Sequence, residues 1–216
     1  EKVSDRKVRD EWKPLWGKRA VVEDHFNELV IDLVNPAGQP ERMQLVVRGY
    51  NDGFAFCYKI PDGKGPCVNV QSELTAYNFA GDYTAWFYNG ENHNIGPEKL
   101  TETDGTRLPV MTVKAGDKHY MAIHEACLET GAPLVLQSKG GESLFSVASK
   151  PTSLSPGYTS AWRVVLYGTT PGVLTDSHLL ELLNPDPDSR YDFSWVKPGL
   201  AVWDWRINGA VWDGFT

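Results

Sequence analysis

Long apolar runs are missing from this sequence. Nothing approaches the ~20 consecutive apolar residues of a bilayer-spanning helix, so no transmembrane α-helix is expected. Cysteine is scarce: Cys57, Cys67 and Cys127 are an odd number and make no disulfide framework. A Cys57–Cys67 bridge across a loop is sterically open but is not the expected state. Positive charge is in deficit, with 21 Lys and Arg against 28 Asp and Glu, and the net charge of −7 removes any electrostatic reason to bind nucleic acid. Neither nucleic acid nor a membrane is therefore expected as a partner. Blocks of like charge and low-complexity segments are also lacking, so no disordered tail is read. Phosphate-loop, dinucleotide and nucleophile-elbow signatures are absent. The five histidines, His25, His93, His119, His124 and His178, are scattered, suit no zinc spacing and read as surface or packed residues. Glu1 opens the chain without the charged-then-apolar pattern of a signal segment, so either such a segment is removed or the gene begins upstream.

Aromatic residues, by contrast, are plentiful at 12%. The richest stretch is Ser194–Trp205, where three tryptophans, a lysine and an aspartate surround one Pro-Gly turn. Indole N–H groups want partners, which makes such a run poor core material. Flat apolar faces beside fixed polar groups are what a sugar-binding pocket requires.

The first two-thirds reads as a series of strands. Leu29, Ile31 and Leu33 alternate, as do Met43, Leu45 and Val47, and Asn51-Asp52-Gly53 supplies a hairpin turn. Phe54, Phe56, Tyr58 and Ile60 share one face of the returning strand. Further strands are expected at 72–79, 84–88, 110–114, 119–123, 134–137, 143–147 and 161–167, and Gly-containing turns join 110–114 to 119–123 and 134–137 to 143–147. The pattern implies an all-β fold, an antiparallel sandwich. After Gly172 the texture changes: Thr175-Asp176 reads as a helix cap before Leu179, Leu180, Leu182 and Leu183, and Asn184–Tyr191 as an exposed connection leading to a strand at 201–205. The expected organisation is a sandwich domain with linker helix over 1–183, and over 184–216 a connection and the first strand of a further domain.

Two groups of residues are candidates for chemistry. In His124-Glu125-Ala126-Cys127, strand alternation places Glu125 and Cys127 on one face and His124 on the other. Glu125 at a strand end can reach into a cleft, or can simply pair with a basic neighbour. Trp203, Asp204 and Trp205 can line a sugar pocket at the end of a barrel strand, or pack against the sandwich. Trp86 and Tyr88 share a strand face that is either core or a stacking platform.

The ordered series Trp12-Lys-Pro-Leu-Trp-Gly17, Gly53-Phe-Ala-Phe56, Glu73-Leu-Thr75, Ile123-His-Glu-Ala126, Ser160-Ala-Trp-Arg-Val-Val, Leu179-Leu-Glu-Leu-Leu-Asn184, Asp192-Phe-Ser-Trp-Val-Lys-Pro-Gly199 and Val202-Trp-Asp-Trp205 resembles glycoside hydrolase family 97, bacterial α-glucosidases and α-galactosidases of the periplasm or secreted space. The resemblance implies a β-super-sandwich, similar to galactose mutarotase folds, followed by a linker helix and the first strand of a truncated (β/α)8 barrel. It implies a calcium ion between the two domains with Glu125 as one ligand, and Trp203, Asp204 and Trp205 as substrate-binding residues. The partners it implies are an α-linked oligosaccharide or glycoside and the chain's own carboxyl-terminal catalytic barrel. Cys57 stands where the family usually has a basic residue, and the family's first strands before Trp12 are expected to be missing. Glycoside hydrolysis needs two carboxylates flanking the bond. The family's pair belongs to later barrel strands, so the catalytic carboxylates are expected beyond Thr216. This chain is therefore expected to be inactive alone, the non-catalytic amino-terminal part of a calcium-dependent α-glycosidase. The alternative is a stand-alone carbohydrate-binding or structural sandwich module.

Overall fold

In the computed structural model, residues 2–34, 42–88, 90, 94–129 and 131–201 are described. Trp203, Asp204 and Trp205, the strand expected around them and the chain end at Thr216 lie outside that set, as do the catalytic carboxylates expected beyond Thr216. The described chain forms β1 (Lys2–Trp12), β2 (Val22–Val34), β3 (Arg42–Tyr50), β4 (Gly53–Lys59), β5 (Val68–Val70), β6 (Ala76–Asn78), β7 (Thr84–Tyr88), β8 (Ile95–Lys99), β9 (Asp104–Ala115), β10 (His119–Ala126), β11 (Leu136–Lys139), β12 (Leu144–Val147), β13 (Thr152–Leu154) and β14 (Trp162–Gly168), then helices α1 (Pro171–Asp176) and α2 (Leu179–Leu182). All pairing between these strands is antiparallel, in the order β1-β2-β3-β4-β14-β10-β9-β11-β12-β6, with β7 and β8 attached through β9 and a separate β5–β13 pair.

Strand β9 makes the sandwich. Its first residues, Asp104–Arg107, pair with β11, whereas Met111–Ala115 pair with β10. One long strand thus belongs to both layers, and the core between them holds Phe87, Met111, Val113 and Ile123 against Leu134, Leu136, Phe145 and Val147. A second core lies on the opposite face of the larger layer, where Val46, Ala55, Cys57, Ala122, Trp162, Val164 and Leu166 pack under Leu179 and Leu183. Successive strand side chains point to opposite faces, so β10 feeds both cores, with Ala122 in one and Ile123 in the other. The central strand β14 is covered on both sides, which is why its sequence is a nearly continuous apolar run, interrupted by Arg163.

Several expectations need correction. A strand not read from the sequence precedes Trp12: β1 pairs with β2 along its full length, from Lys2↔Asp32 to Trp12↔Val22. Its charged sequence carries no apolar alternation because it is an edge strand, where charge blunts unwanted pairing. On β4, Phe54, Phe56 and Tyr58 share one face as their alternation predicts, and the fully buried face is the other one, with Ala55 and Cys57. Thr175 and Asp176 lie inside α1 and cap nothing; the Leu179 amide donates to Ser177 Oγ at 3.1 Å instead. Cys127 does not share the face of Glu125. Strand β10 ends at Ala126, Cys127 turns to φ +55°, and its side chain packs with the core beneath α2. The three cysteines are free.

Candidate functional site

Three sequence motifs far apart in the chain meet at Arg163. The side chain is buried and points between the two layers, opposite Phe56 on β4 and Glu125 on β10. Its Nε and Nη2 donate to the two oxygens of Glu73, at 3.0 and 2.7 Å, a bidentate pair. Its third nitrogen, Nη1, stands 3.8 Å from Glu125 Oε2 and has no hydrogen-bond partner among the described residues. Burial works against the charge on Arg163, but the bond and charge of Glu73 outweigh it and the group stays firmly protonated. Thr75, two residues beyond Glu73, contacts the Tyr58 hydroxyl at 3.0 Å, and Ser160 Oγ accepts the Tyr58 amide at 2.9 Å. Sequence reading singled out neither Glu73 nor Arg163 as a site residue. The signal available was an arginine inside the apolar run of 161–167, where an unpaired charge would be strongly destabilising.

Glu125 is nearly as buried, with 9% of its side chain exposed. Oε2 accepts the backbone N–H of Leu134, which closes the loop after β10 back onto the strand. Burial raises its pKa, and the Leu134 amide and Arg163 oppose that rise. Among the described residues no hydrogen bond reaches Oε1. Among the described residues, the fold therefore engages Glu125 through Oε2. His124 takes the other face of β10, as expected, and burial lowers its pKa.

A calcium ion takes six to eight oxygen ligands. Among the described residues no group of three or more His, Cys, Asp or Glu is placed to hold a metal, and Glu73 is already committed to Arg163. The chemistry of Glu125, a hard oxygen donor, fits such an ion as one ligand among several, and the described residues supply no second free carboxylate beside it.

The remaining candidates fall elsewhere. The face of β7 that enters the core carries Ala85 and Phe87, so Trp86 is half-buried and Tyr88 exposed on the outer face. A cleft of ≈ 480 Å³ lies between the start of β2, the β3–β4 turn and the end of α1, lined by Arg19, Glu23, His25, Tyr50, Asp52 and His178 among others. Glu125 does not line it. Exposed apolar side chains gather in the connection after α2, at Tyr191, Phe193, Trp195, Val196 and Leu200. Among the described residues no helix is long and apolar enough to cross a membrane.

The chain belongs to the family described as Glycosyl-hydrolase 97 N-terminal, which matches residues 1–185. Among individual proteins it is similar to a retaining alpha-galactosidase of Bacteroides thetaiotaomicron, 26% identical over 94% of this chain and 36% of the relative. A probable retaining alpha-galactosidase of Streptomyces bingchenggensis is 29% identical over 78% of this chain and 27% of its own length. The structure superposes with a TM-score of 0.78 on a glycoside hydrolase family 97 enzyme from Pseudoalteromonas sp. strain K8 solved in complex with acarbose, at 26% identity over 92% of this chain and 32% of the other. The chain spans about a third of the length of these relatives.

Proposed function

We propose that this chain is the non-catalytic amino-terminal part of a calcium-dependent α-glycosidase, an α-galactosidase or α-glucosidase, in which Glu125 supplies one calcium ligand and the sandwich forms one wall of the sugar-binding cleft. The observation that carries the proposal is the buried Glu125 carboxylate at the end of β10, whose Oε2 accepts the Leu134 amide, within a domain whose relatives are glycoside hydrolases about three times its length. When bound, calcium supplies a fixed positive charge that polarises the reacting region. The chain's own contribution is to aim a carboxylate at that ion from a rigid strand and to exclude water around it. Trp203, Asp204 and Trp205 are proposed to line the sugar subsite at the start of a carboxyl-terminal catalytic barrel. The catalytic carboxylates are proposed to follow Thr216, and the complete enzyme to act in the periplasm or outside a bacterial cell.

The test is an assay of the complete gene product on p-nitrophenyl α-galactoside and α-glucoside, with and without chelator. Chelator-sensitive release by the complete enzyme, lost on Glu125→Gln and absent from the 216-residue chain alone, supports the proposal. Release unaffected by both chelator and Glu125→Gln overturns it.

A further inference from the structure

We infer that Arg163 and Glu73 form a positioning pair that sets the Glu125 carboxylate for its cation, an inference that rests on the proposed role of Glu125. The geometry has three parts. Glu125 and Arg163 stand directly opposite one another on β10 and β14, so their backbone separation is fixed by the ladder. Arg163 is gripped by Glu73 through two parallel hydrogen bonds, which restrain rotation of its guanidinium plane. Nη1 then stands 3.8 Å from Glu125 Oε2, the same oxygen that accepts the Leu134 amide, so Oε2 is fixed from two sides. Oε1 is then the oxygen offered to the cation.

Charge explains why two residues are needed. An arginine alone beside Glu125 would cancel the carboxylate and leave a cation nothing to gain. Glu73 already neutralises Arg163, so the row Glu73–Arg163–Glu125 carries one net negative charge, and a cation still finds it attractive. Arg163 orients, while Glu73 preserves the negative charge that Glu125 offers. Outer groups that orient a metal ligand typically change metal affinity about 10- to 100-fold when removed. Lysine does not substitute for a bidentate arginine, because its single ammonium cannot fork across two acceptors.

The experiment is a competition titration of the complete enzyme's calcium affinity against a chelating dye, with apo melting curves recorded in parallel. The proteins are the parent, Glu125→Gln, Arg163→Lys, Glu73→Gln and the double variant Glu125→Gln/Arg163→Lys. The expected result is an affinity lowered about 10- to 100-fold in Arg163→Lys and in Glu73→Gln, with the double variant no weaker than Glu125→Gln alone, since Arg163 acts only through Glu125. Unchanged affinity in Glu125→Gln overturns the proposed role of Glu125 itself. Weakened affinity in Glu125→Gln with parental affinity in both Arg163→Lys and Glu73→Gln overturns the positioning inference and leaves that role standing. An additional loss in the double variant also overturns it, since Arg163 would then act on the ion by another route. Should Arg163→Lys not fold, Glu73→Gln carries the comparison alone.

Discussion

The guanidinium of Arg48 lies 4.8 Å from the ring centroid of Trp162, and also 4.4 Å from that of Phe26. From that clamp its Nε donates to Glu28 Oε2 at 2.8 Å, while Arg6 Nε reaches Glu28 Oε1 at 2.6 Å. Cation–π contact of this kind stabilises an arginine without desolvating it completely. Trp162 and Arg163 are successive residues of β14 and point to opposite faces. Separate arginine–carboxylate groups therefore lie on the two sides of β14.

Glu28 makes the domain sensitive to acid. Burial raises its pKa, but the bonds from Arg6 and Arg48 outweigh burial and hold it below its ordinary value of 4.5. A folded value below the unfolded one contributes stability above the unfolded pKa and loses it as pH falls through the folded pKa. Melting temperatures measured from pH 7 down to pH 3 should therefore fall more steeply for the parent than for Glu28→Gln. At pH 7 the substitution should cost about 3 kcal/mol, because it leaves Arg48 facing an uncharged partner in a largely buried site. Equal acid slopes in the two proteins would refute the assignment.

Thiol reactivity should sort by burial. Cys57 is fully buried, and burial pushes its thiol up to about 11, whereas Cys67 is exposed. Alkylation mapped by mass spectrometry at mildly alkaline pH should label Cys67 first, Cys127 more slowly and Cys57 only after denaturant is added. Rapid native labelling of Cys57 would show that the core beneath α2 opens readily.

Helix α2 is short, and its stability comes from where Leu179 goes. That side chain is 1% exposed and lies in the core with Cys57 and Leu166. Leu179→Ala should cost about 3 kcal/mol in denaturant unfolding. Leu200→Ala, at a fully exposed position, should change stability by less than about 0.5 kcal/mol. Comparable effects at the two positions would mean that α2 does not cover the sheet.

Gly53 starts β4 at φ +157°, and a Cβ there would stand 2.3 Å from the Val165 carbonyl oxygen on β14. Gly53→Ala should destabilise by about 1–3 kcal/mol, since backbone must move to admit it. Gly49, near the end of β3 in the same hairpin, would have nothing within 4 Å of an added methyl group, so Gly49→Ala should be close to neutral in the same melts.

Much of the fold is legible in local pattern. The strand at 84–88 has the bounds its alternation predicts, and the hairpin around Gly116 and the exposed connection after Asn184 also match their turn chemistry. Strands β5, β8 and β13 are not legible, because three to five residues with mixed polarity carry no period. Strand β1 escapes for a related reason: charge suits an edge, so the side chains that protect it also hide it. Expecting Cys127 beside Glu125 fails because alternation holds only while the strand lasts, and the positive φ at Cys127 falls just past its end.

By itself the sequence determined an antiparallel all-β sandwich, a short leucine-bearing helical segment after it and a family resemblance confirmed over residues 1–185, and it proposed Glu125 as a candidate. Those features rest on local periodicity, turn chemistry and motif order, all written along the chain. Only the tertiary structure decided what Glu125 stands next to. Glu73 and Arg163 are 90 residues apart, and Glu125 meets Arg163 only through the β10–β14 ladder. No local pattern encodes such a meeting, because a buried charge finds its partner through strand pairing between distant segments, and that pairing is set by the packing of the whole sheet.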